Sequence, residues 1–147
     1  ILDLACGKGR HSIYLNQMGF NVTGADLSSN SIAIAKDFEN ETLKFVEHDM
    51  RIPFKDKFDA IFNLFTSFGY FENEEDNFTT LKAIKESISE YGFAVIDFMN
   101  VPNVLANLVP EEIKTVDEIE LIRARRLAPT KSAKTVSLNV CFVFANI

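Results

Sequence analysis

The stretch ILDLACGKGR, residues 1–10, is the strongest indication of the fold. In it, a short apolar run is followed by Gly7 and Gly9. The run predicts a buried strand, and the two glycines predict a tight turn into a helix. Asp3 interrupts the apolar run, and a carboxylate buried inside a strand needs a partner. We expect that partner to be a ligand ammonium group or backbone N–H groups of the glycine loop.

Beyond this turn, apolar runs and helical spacings alternate. Strands are predicted over residues 1–5, 21–26, 43–46, 58–64 and 92–98, and helices over 10–18, from Ser28 or Ser29 to about 38, and after the capping residue Asn73. In the first helix, helical spacing is shown by Ile13, Tyr14, Gln17 and Met18. In the second we expect inward positions for Ile32, Ala33 and Ala35, and the buried stripe of the third is expected to be Phe78, Leu81, Ile84 and Ile88.

This alternation predicts an α/β fold: a Rossmann-like, doubly wound, mostly parallel sheet with helices on both faces and a small C-terminal strand or lid element. Near-continuous apolar strands agree, since parallel strands are covered on both sides. Sheets of this kind bind ligands at the carboxyl ends of their strands. The residues that follow each predicted strand are therefore the candidates for a binding site.

Polar groups follow the second, third and fourth strands. Asp26 lies 17 residues beyond Gly9, where a carboxylate can accept hydrogen bonds from both hydroxyls of a ribose, although it can equally cap a helix. Asp49 and Met50 suit an adenine amino group and ring face, although an ordinary loop Asp is the alternative. Residues 63–65 end the fourth strand, where main-chain carbonyls can meet a ligand amine.

The glycine pair alone is weak evidence, because a tight strand-to-helix turn explains it as well. Ser12 stands where the dinucleotide pattern G-x-G-x-x-G has its third glycine, which counts against NAD or FAD. A nicotinamide dehydrogenase is therefore a disfavoured alternative.

Taken together, LDLACGKGR, Asp26, Asp49 and FDAIFNLFTSFGYF resemble a class I S-adenosylmethionine (SAM)-dependent methyltransferase over about residues 1–100, most closely the small bacterial enzymes of the methyltransferase-domain superfamily. The resemblance implies SAM as cofactor. It also implies these roles: Gly7 and Gly9 in the cofactor loop, Asp3 at the methionine amino end, Asp26 and the adjoining Leu27 at the ribose, Asp49 and Met50 at the adenine, and Asn63 and Phe65 on the methionine side. A non-catalytic SAM-binding or partner-binding module of the same fold is the alternative.

No catalytic residue can be assigned from the sequence. His11 and His48 are the only histidines, and a loop or surface position explains each more simply than a general base does. Phe58 and Phe62 are expected in the core, whereas Ser67 and Tyr70 lie in a loop-like stretch and are candidates for the acceptor side.

The charge is divided unevenly along the 147 residues, whose net charge is −6. All 21 acidic residues precede residue 123, whereas residues 123–147 carry five basic residues and no acidic one. The acidic balance argues against general nucleic-acid or anionic-membrane binding, and no apolar run reaches the length of a membrane span. We therefore expect a small-molecule acceptor. The absence of an Asn/Asp-Pro-Pro-aromatic motif at residues 63–66 also disfavours amino methylation of DNA.

We expect residues 1–100 to form the SAM-binding core and 101–147 a lid helix over 101–113 with a β-hairpin from 119–126 and 135–144. Arg123, Arg125 and Arg126 either protect an edge strand or recognise an anionic acceptor. Two cysteines without metal-ligand spacing suggest a reducing cytoplasm and no metal site. Because a strand begins at residue 1 and the family's leading helix is missing, we expect the natural protein to be longer.

Overall fold

The computed structural model of the chain describes residues 1–98, 106, 111–116, 119–124 and 144–145. Its elements in chain order are β1 (Leu2–Leu4), α1 (Arg10–Gln17), β2 (Val22–Asp26), α2 (Ser29–Ala35) continuing into a 3-10 helix (Lys36–Phe38), β3 (Leu43–Glu47), β4 (Phe58–Asn63), α3 (Glu74–Ser87), β5 (Ile88–Ile96), β6 (Glu111–Val116), β7 (Ile119–Ala124) and β8 (Phe144–Ala145). The predicted alternation of strands and helices is confirmed.

A six-stranded sheet has the order β3-β2-β1-β4-β5-β8. The first five strands are parallel, and β8 pairs antiparallel with β5. The winding direction reverses beside β1, because β2 and β3 lie on one side of it and β4 and β5 on the other. This confirms the predicted α/β fold and marks the carboxyl end of β1 as the position where such sheets bind ligands.

Two apolar clusters form the core. One includes Leu2, Leu4 and Ile61 of the sheet together with Ile84 of α3. The other joins Val22, Leu43 and Phe45 of the sheet to Ile32 and Ala35 of α2, with Ile13 and Leu15 of α1 packed against it. Successive residues of a strand point to opposite faces, so helices cover the sheet on both sides.

The buried faces of the helices do not follow the spacing of apolar residues. In α1, Tyr14 is 62% exposed and Met18 58% exposed, Gln17 is also exposed, and the buried residue is Ser12. Ala33 of α2 is likewise exposed. The inward prediction for Ala33 is therefore wrong, and in α1 the residue buried against the sheet is a small polar one.

The same correction applies to α3. Phe78 is 61% exposed, and the buried residues are Thr80, Ala83, Ile84 and Ser87. Three of these four buried residues have small side chains. Ile88 is buried as the first residue of β5, so that strand begins four residues before the predicted Gly92.

The described residues fall into two compact units: one holds β1–β5, β8 and the helices α1–α3, and the other holds β6 and β7. β6 pairs antiparallel with β7, from Glu111 opposite Ala124 to Val116 opposite Ile119. Residues 119–124 of the strand predicted over 119–126 are therefore strand, and so are residues 111–113 of the predicted lid helix. The predicted hairpin between 119–126 and 135–144 is wrong in its described part, because β7 pairs with β6 and Phe144 pairs with β5. The rest of that helix prediction, and residues 135–143 of the other predicted strand, lie outside the described residues apart from the single residue 106. No helix within the described part of the chain is long and apolar enough to span a membrane.

Candidate functional site

A pocket of about 180 Å³ opens at the carboxyl ends of β1, β2 and β3. Its lining residues are Leu4, Ala5, Asp26, Leu27, His48, Asp49, Met50 and Phe71. Four of them, Asp26, Leu27, Asp49 and Met50, are predicted site residues, so the fold brings together groups from two strand ends that lie more than twenty residues apart.

Asp26 is held by backbone donors on both sides. The N–H of Gly7 donates to Asp26 Oδ2 at 2.8 Å, and the N–H of Ser28 donates to Asp26 Oδ1 at 2.8 Å. A carboxylate has about four acceptor positions, so each oxygen keeps capacity for a further donor. The two backbone bonds orient this carboxylate at the pocket.

The turn between β1 and α1 depends on left-handed backbone conformations. Gly7 has φ +56°, and Gly9 has φ +81° at the N-terminal end of α1. A Cβ built on Gly9 would lie 2.5 Å from Cζ of the buried Phe45, whereas one on Gly7 would meet nothing within 4 Å. Gly9 is therefore required for packing against β3, and Gly7 presents open backbone.

Asp3 is buried, with 2% of its surface exposed, and accepts a hydrogen bond of 2.6 Å from Ser12 Oγ. Burial raises the pKa of the Asp3 carboxyl, and the Ser12 hydrogen bond opposes that rise. Ser12 thus supplies a partner that the sequence argument expected from a ligand or from the glycine loop. The signal for it is the hydroxyl at the third-glycine position, on the first turn of the helix that covers β1.

Asp49 is engaged by Arg51. The Nε of Arg51 lies 3.0 and 3.1 Å from the two carboxylate oxygens, Nη2 lies 2.5 Å from Oδ2, and the backbone N–H of Arg51 donates to Oδ1 at 3.0 Å. The guanidinium lowers the pKa of Asp49. This carboxylate therefore faces a cation of its own chain, which the sequence argument missed.

The end of β4 contributes groups beside this pocket rather than to its lining. Asn63 is buried and donates from Nδ2 to the carbonyl of Leu4 at 2.9 Å, while its Oδ1 is buried without a hydrogen-bond partner. Phe65 has φ +59° and Thr66 φ +56°, which non-glycine residues rarely adopt. Asp97, after β5, holds both residues, because its Oδ2 accepts from the Phe65 N–H and its carbonyl from the Thr66 N–H.

Of the two histidines and the two acceptor-side candidates, His11, His48 and Ser67 have partners within the protein. The ring of His11 stacks on Phe65 with centroids 5.0 Å apart, and His48 Nε2 lies 2.7 Å from the carbonyl of Ile52. Ser67 Oγ donates to the carbonyl of Leu64, and Tyr70 is 75% exposed. Phe71 lines the pocket, in agreement with the expectation that the aromatic side chains of residues 66–71 lie at the mouth of the site. His48 also lines it, although the sequence suggested only a loop position for that residue.

The side chains that line the pocket suit a nucleoside. Asp26 offers acceptor capacity for hydroxyl groups, while Leu27, Met50 and Phe71 provide apolar walls for a flat base. Among the residues that the structure describes, no group of three or more His, Cys, Asp or Glu side chains is placed to hold a metal ion.

Comparison with known proteins agrees with this geometry. A family model described as "Methyltransferase domain" matches residues 1–92. The chain is 36% identical over 101 residues to the putative methyltransferase YqeM of Bacillus subtilis, covering 66% of this chain and 41% of that protein. It is 35% identical over 113 residues to a glycine/sarcosine N-methyltransferase of Halorhodospira halochloris, covering 71% and 41%. The chain thus spans about two fifths of the length of these curated relatives.

Solved structures share the fold. An S-adenosylmethionine-dependent methyltransferase from Clostridium acetobutylicum superposes with a TM-score of 0.71 at 23% identity, over 87% of this chain and 54% of that one. The PH0226 protein from Pyrococcus horikoshii gives a TM-score of 0.65 at 26% identity, over 82% and 63%.

Proposed function

This chain belongs to the methyltransferase-domain family, and from that premise we propose that its strand-end pocket binds SAM and that the whole protein transfers the methyl group to a small-molecule acceptor. The single observation that carries the proposal is the Asp26 carboxylate, oriented by two backbone N–H groups and still able to accept ribose hydroxyls. Apolar walls on either side of it suit an adenosine.

Each part of the cofactor has candidate partners in this chain. The adenine would be enclosed by Leu27, Met50 and Phe71. Asp49 would form one wall of the same pocket, with its negative charge paired to Arg51. On the methionine side, the unpartnered Oδ1 of the buried Asn63 supports the proposal, since a ligand ammonium would satisfy it. Asp3, beneath the glycine loop, adds a carboxylate on that side, and Phe65 an aromatic ring.

When bound, SAM supplies an activated methyl group on a sulfonium sulfur. The protein's part is then to hold the acceptor in line with that group and to exclude water. One curated relative is named for glycine and sarcosine, which are small amines, and this supports a small-molecule acceptor. The cytoplasmic location expected from the sparse cysteines stays a prediction.

Isothermal titration with SAM and S-adenosylhomocysteine tests cofactor binding. We expect Asp26→Asn to weaken binding of both at least about tenfold, because an amide nitrogen replaces one acceptor oxygen and faces a backbone donor. Asp37→Asn, at an exposed acid of the 3-10 helix, is the matched control and should bind like the wild type. A folded wild-type protein that binds neither compound would contradict the proposal.

Turnover separates the enzyme from the non-catalytic module. Incubation of the full-length protein with SAM and a panel of small amines and hydroxy compounds should release S-adenosylhomocysteine with at least one of them. Tight SAM binding without release in a broad panel would favour the module.

A further inference from the structure

Arg51 contacts three separate segments around the pocket. Its guanidinium binds Asp49 at the end of β3, lies 3.3 Å from Asp76 Oδ1 in the first turn of α3, and stands 5.3 Å from the ring centroid of Phe71 in the connection between β4 and α3. One side chain therefore joins two walls of the pocket to the helix behind them.

The contact with Asp49 gives this arrangement a defined geometry. Nε and Nη2 of Arg51 meet both oxygens of the carboxylate, which fixes the plane of the guanidinium as well as its position. Nη1 then points to Asp76, and the aromatic ring receives the cation over its face. A Lys at this position would retain the charge but lose the fork that meets both oxygens.

Phe71 lies in a stretch of chain between two anchored points. The backbone bonds to Asp97 anchor the connection at Phe65 and Thr66, several residues before Phe71, and α3 begins at Glu74. Phe71 lines the pocket from the intervening stretch. Arg51 is the cation over its ring and is itself tied to the two neighbouring elements.

We propose that Arg51 is a positioning residue that clamps Phe71 in place as the outer wall of the pocket, with Asp49 and Asp76 as its anchors. The clamp itself is a property of the protein without ligand, whereas its effect on cofactor affinity rests on the proposed function. Without the guanidinium, Asp49 and Asp76 would lose their shared cation and Phe71 its cation–π contact. Phe71 would then be more exposed to solvent, and the pocket would lose part of its outer wall.

The clamp can be measured without any ligand, because the chain contains no Trp. Phe71→Trp introduces one fluorescent side chain at the position that faces the Arg51 guanidinium, and a Trp ring can keep the cation–π contact. We expect Arg51→Ala in this background to raise the acrylamide quenching constant of the reporter at least twofold, and Arg51→Lys to give an intermediate value. Lys55→Ala, at an exposed cation of the same loop, is the control and should leave it unchanged.

The quenching result decides the proposal as long as the variants fold, which circular dichroism checks. An equal quenching constant in Arg51→Ala and its parent would overturn the clamp, and Arg51→Lys supplies a second comparison if the Ala variant unfolds. Asp76→Asn should give a smaller rise than Arg51→Ala, because only one anchor is lost.

Titration with S-adenosylhomocysteine then tests the consequence for the pocket. We expect Arg51→Ala to weaken binding about tenfold and, in turnover, to raise KM for SAM while kcat is retained. Unchanged affinity in Arg51→Ala would overturn the role of the clamp in binding. Failure of the wild type to bind would instead contradict the proposed function, and the quenching experiment would still decide whether the clamp exists.

Discussion

Three carboxylates, one inside β1, one at the end of β2 and one after β3, are held by groups of the protein itself, each in a different way. Asp3 accepts a hydrogen bond from a hydroxyl group, Asp26 accepts two from backbone N–H groups, and Asp49 forms an ion pair with a guanidinium. The environments differ accordingly, since burial raises the pKa of Asp3 while Arg51 lowers that of Asp49. Buried acceptors are costly unless satisfied, so the partner of Asp3 is the most consequential for stability.

Ser12→Ala tests that partner. We expect it to lower the free energy of unfolding by about 2 kcal/mol at neutral pH, because a buried charge-assisted hydrogen bond is lost. Chemical denaturation at several pH values measures this, with Ser29→Ala at an exposed position of α2 as a control expected to stay within about 0.5 kcal/mol.

The pH dependence of that loss has a definite sign. The folded-state pKa of Asp3 lies above its ordinary value, so protonation favours the fold, and this contribution is lost as the pH rises through the folded-state pKa. The Ser12 bond opposes the rise in pKa, so its removal should cost least at acidic pH, where Asp3 is neutral. A loss that grows towards acidic pH would contradict this account.

At the scale of elements, α3 shows how packing differs from apolar spacing. The helix meets the sheet through Thr80, Ala83, Ile84 and Ser87, whereas Phe78 faces outward. The hydroxyls of Thr80 and Ser87 donate to the carbonyls of Asp76 and Ala83 one turn earlier, so their burial leaves no donor unsatisfied. Polar residues can therefore form the inner face of a helix.

A pair of substitutions in α3 tests this orientation. Ile84→Ala should lower the free energy of unfolding by about 3 kcal/mol, because it removes a buried side chain of the main cluster. Phe78→Ala should change it by less than about 1 kcal/mol despite the larger volume removed. Urea denaturation measures both, and the reverse order would place Phe78 in the core.

At the scale of the whole molecule, the ring of Phe45 in β3 packs against both the glycine loop and β2. It is buried, and a Cβ built on Gly9 or on Gly24 would lie 2.5 Å from its ring. The Gly24 Cβ would also lie 2.8 Å from Ser12 Oγ, which holds Asp3. The glycine loop, β2 and β3 therefore meet around one aromatic ring, and the position of the loop depends on the packing of an outer strand.

Gly24→Ala should consequently destabilise the fold by about 2 kcal/mol, since the added methyl overpacks the core. Phe45→Leu in the same chain removes the ring atoms that clash, so the double variant should lose less than the sum of the two single losses. Thermal and urea unfolding of all three variants measure this coupling, and simple additivity would show that the glycine and the ring do not meet.

Much of the fold was predictable because its signals are local. The apolar runs, Gly9 and the helix-capping Ser28, whose Oγ accepts from the Ser31 N–H, all act within a few residues and place the elements nearly where they occur. Strand direction follows from the crossover helices, so the parallel pairing of β1–β5 was predictable as well. The positions of Asp26, Leu27, Asp49 and Met50 at one pocket follow from that topology.

Several other contacts around the site were not predictable, because they join separate elements of the fold. Ser12 bound to Asp3, Arg51 joined to Asp76, and Asp97 bound to the backbone of Phe65 and Thr66 depend on side chains meeting across elements. The buried faces of α1 and α3 also depend on the packed sheet, which covers Ser12 and Thr80 and leaves Tyr14 and Phe78 exposed. Local chemistry thus specifies where strands end, but only tertiary packing selects which groups satisfy the charges placed there.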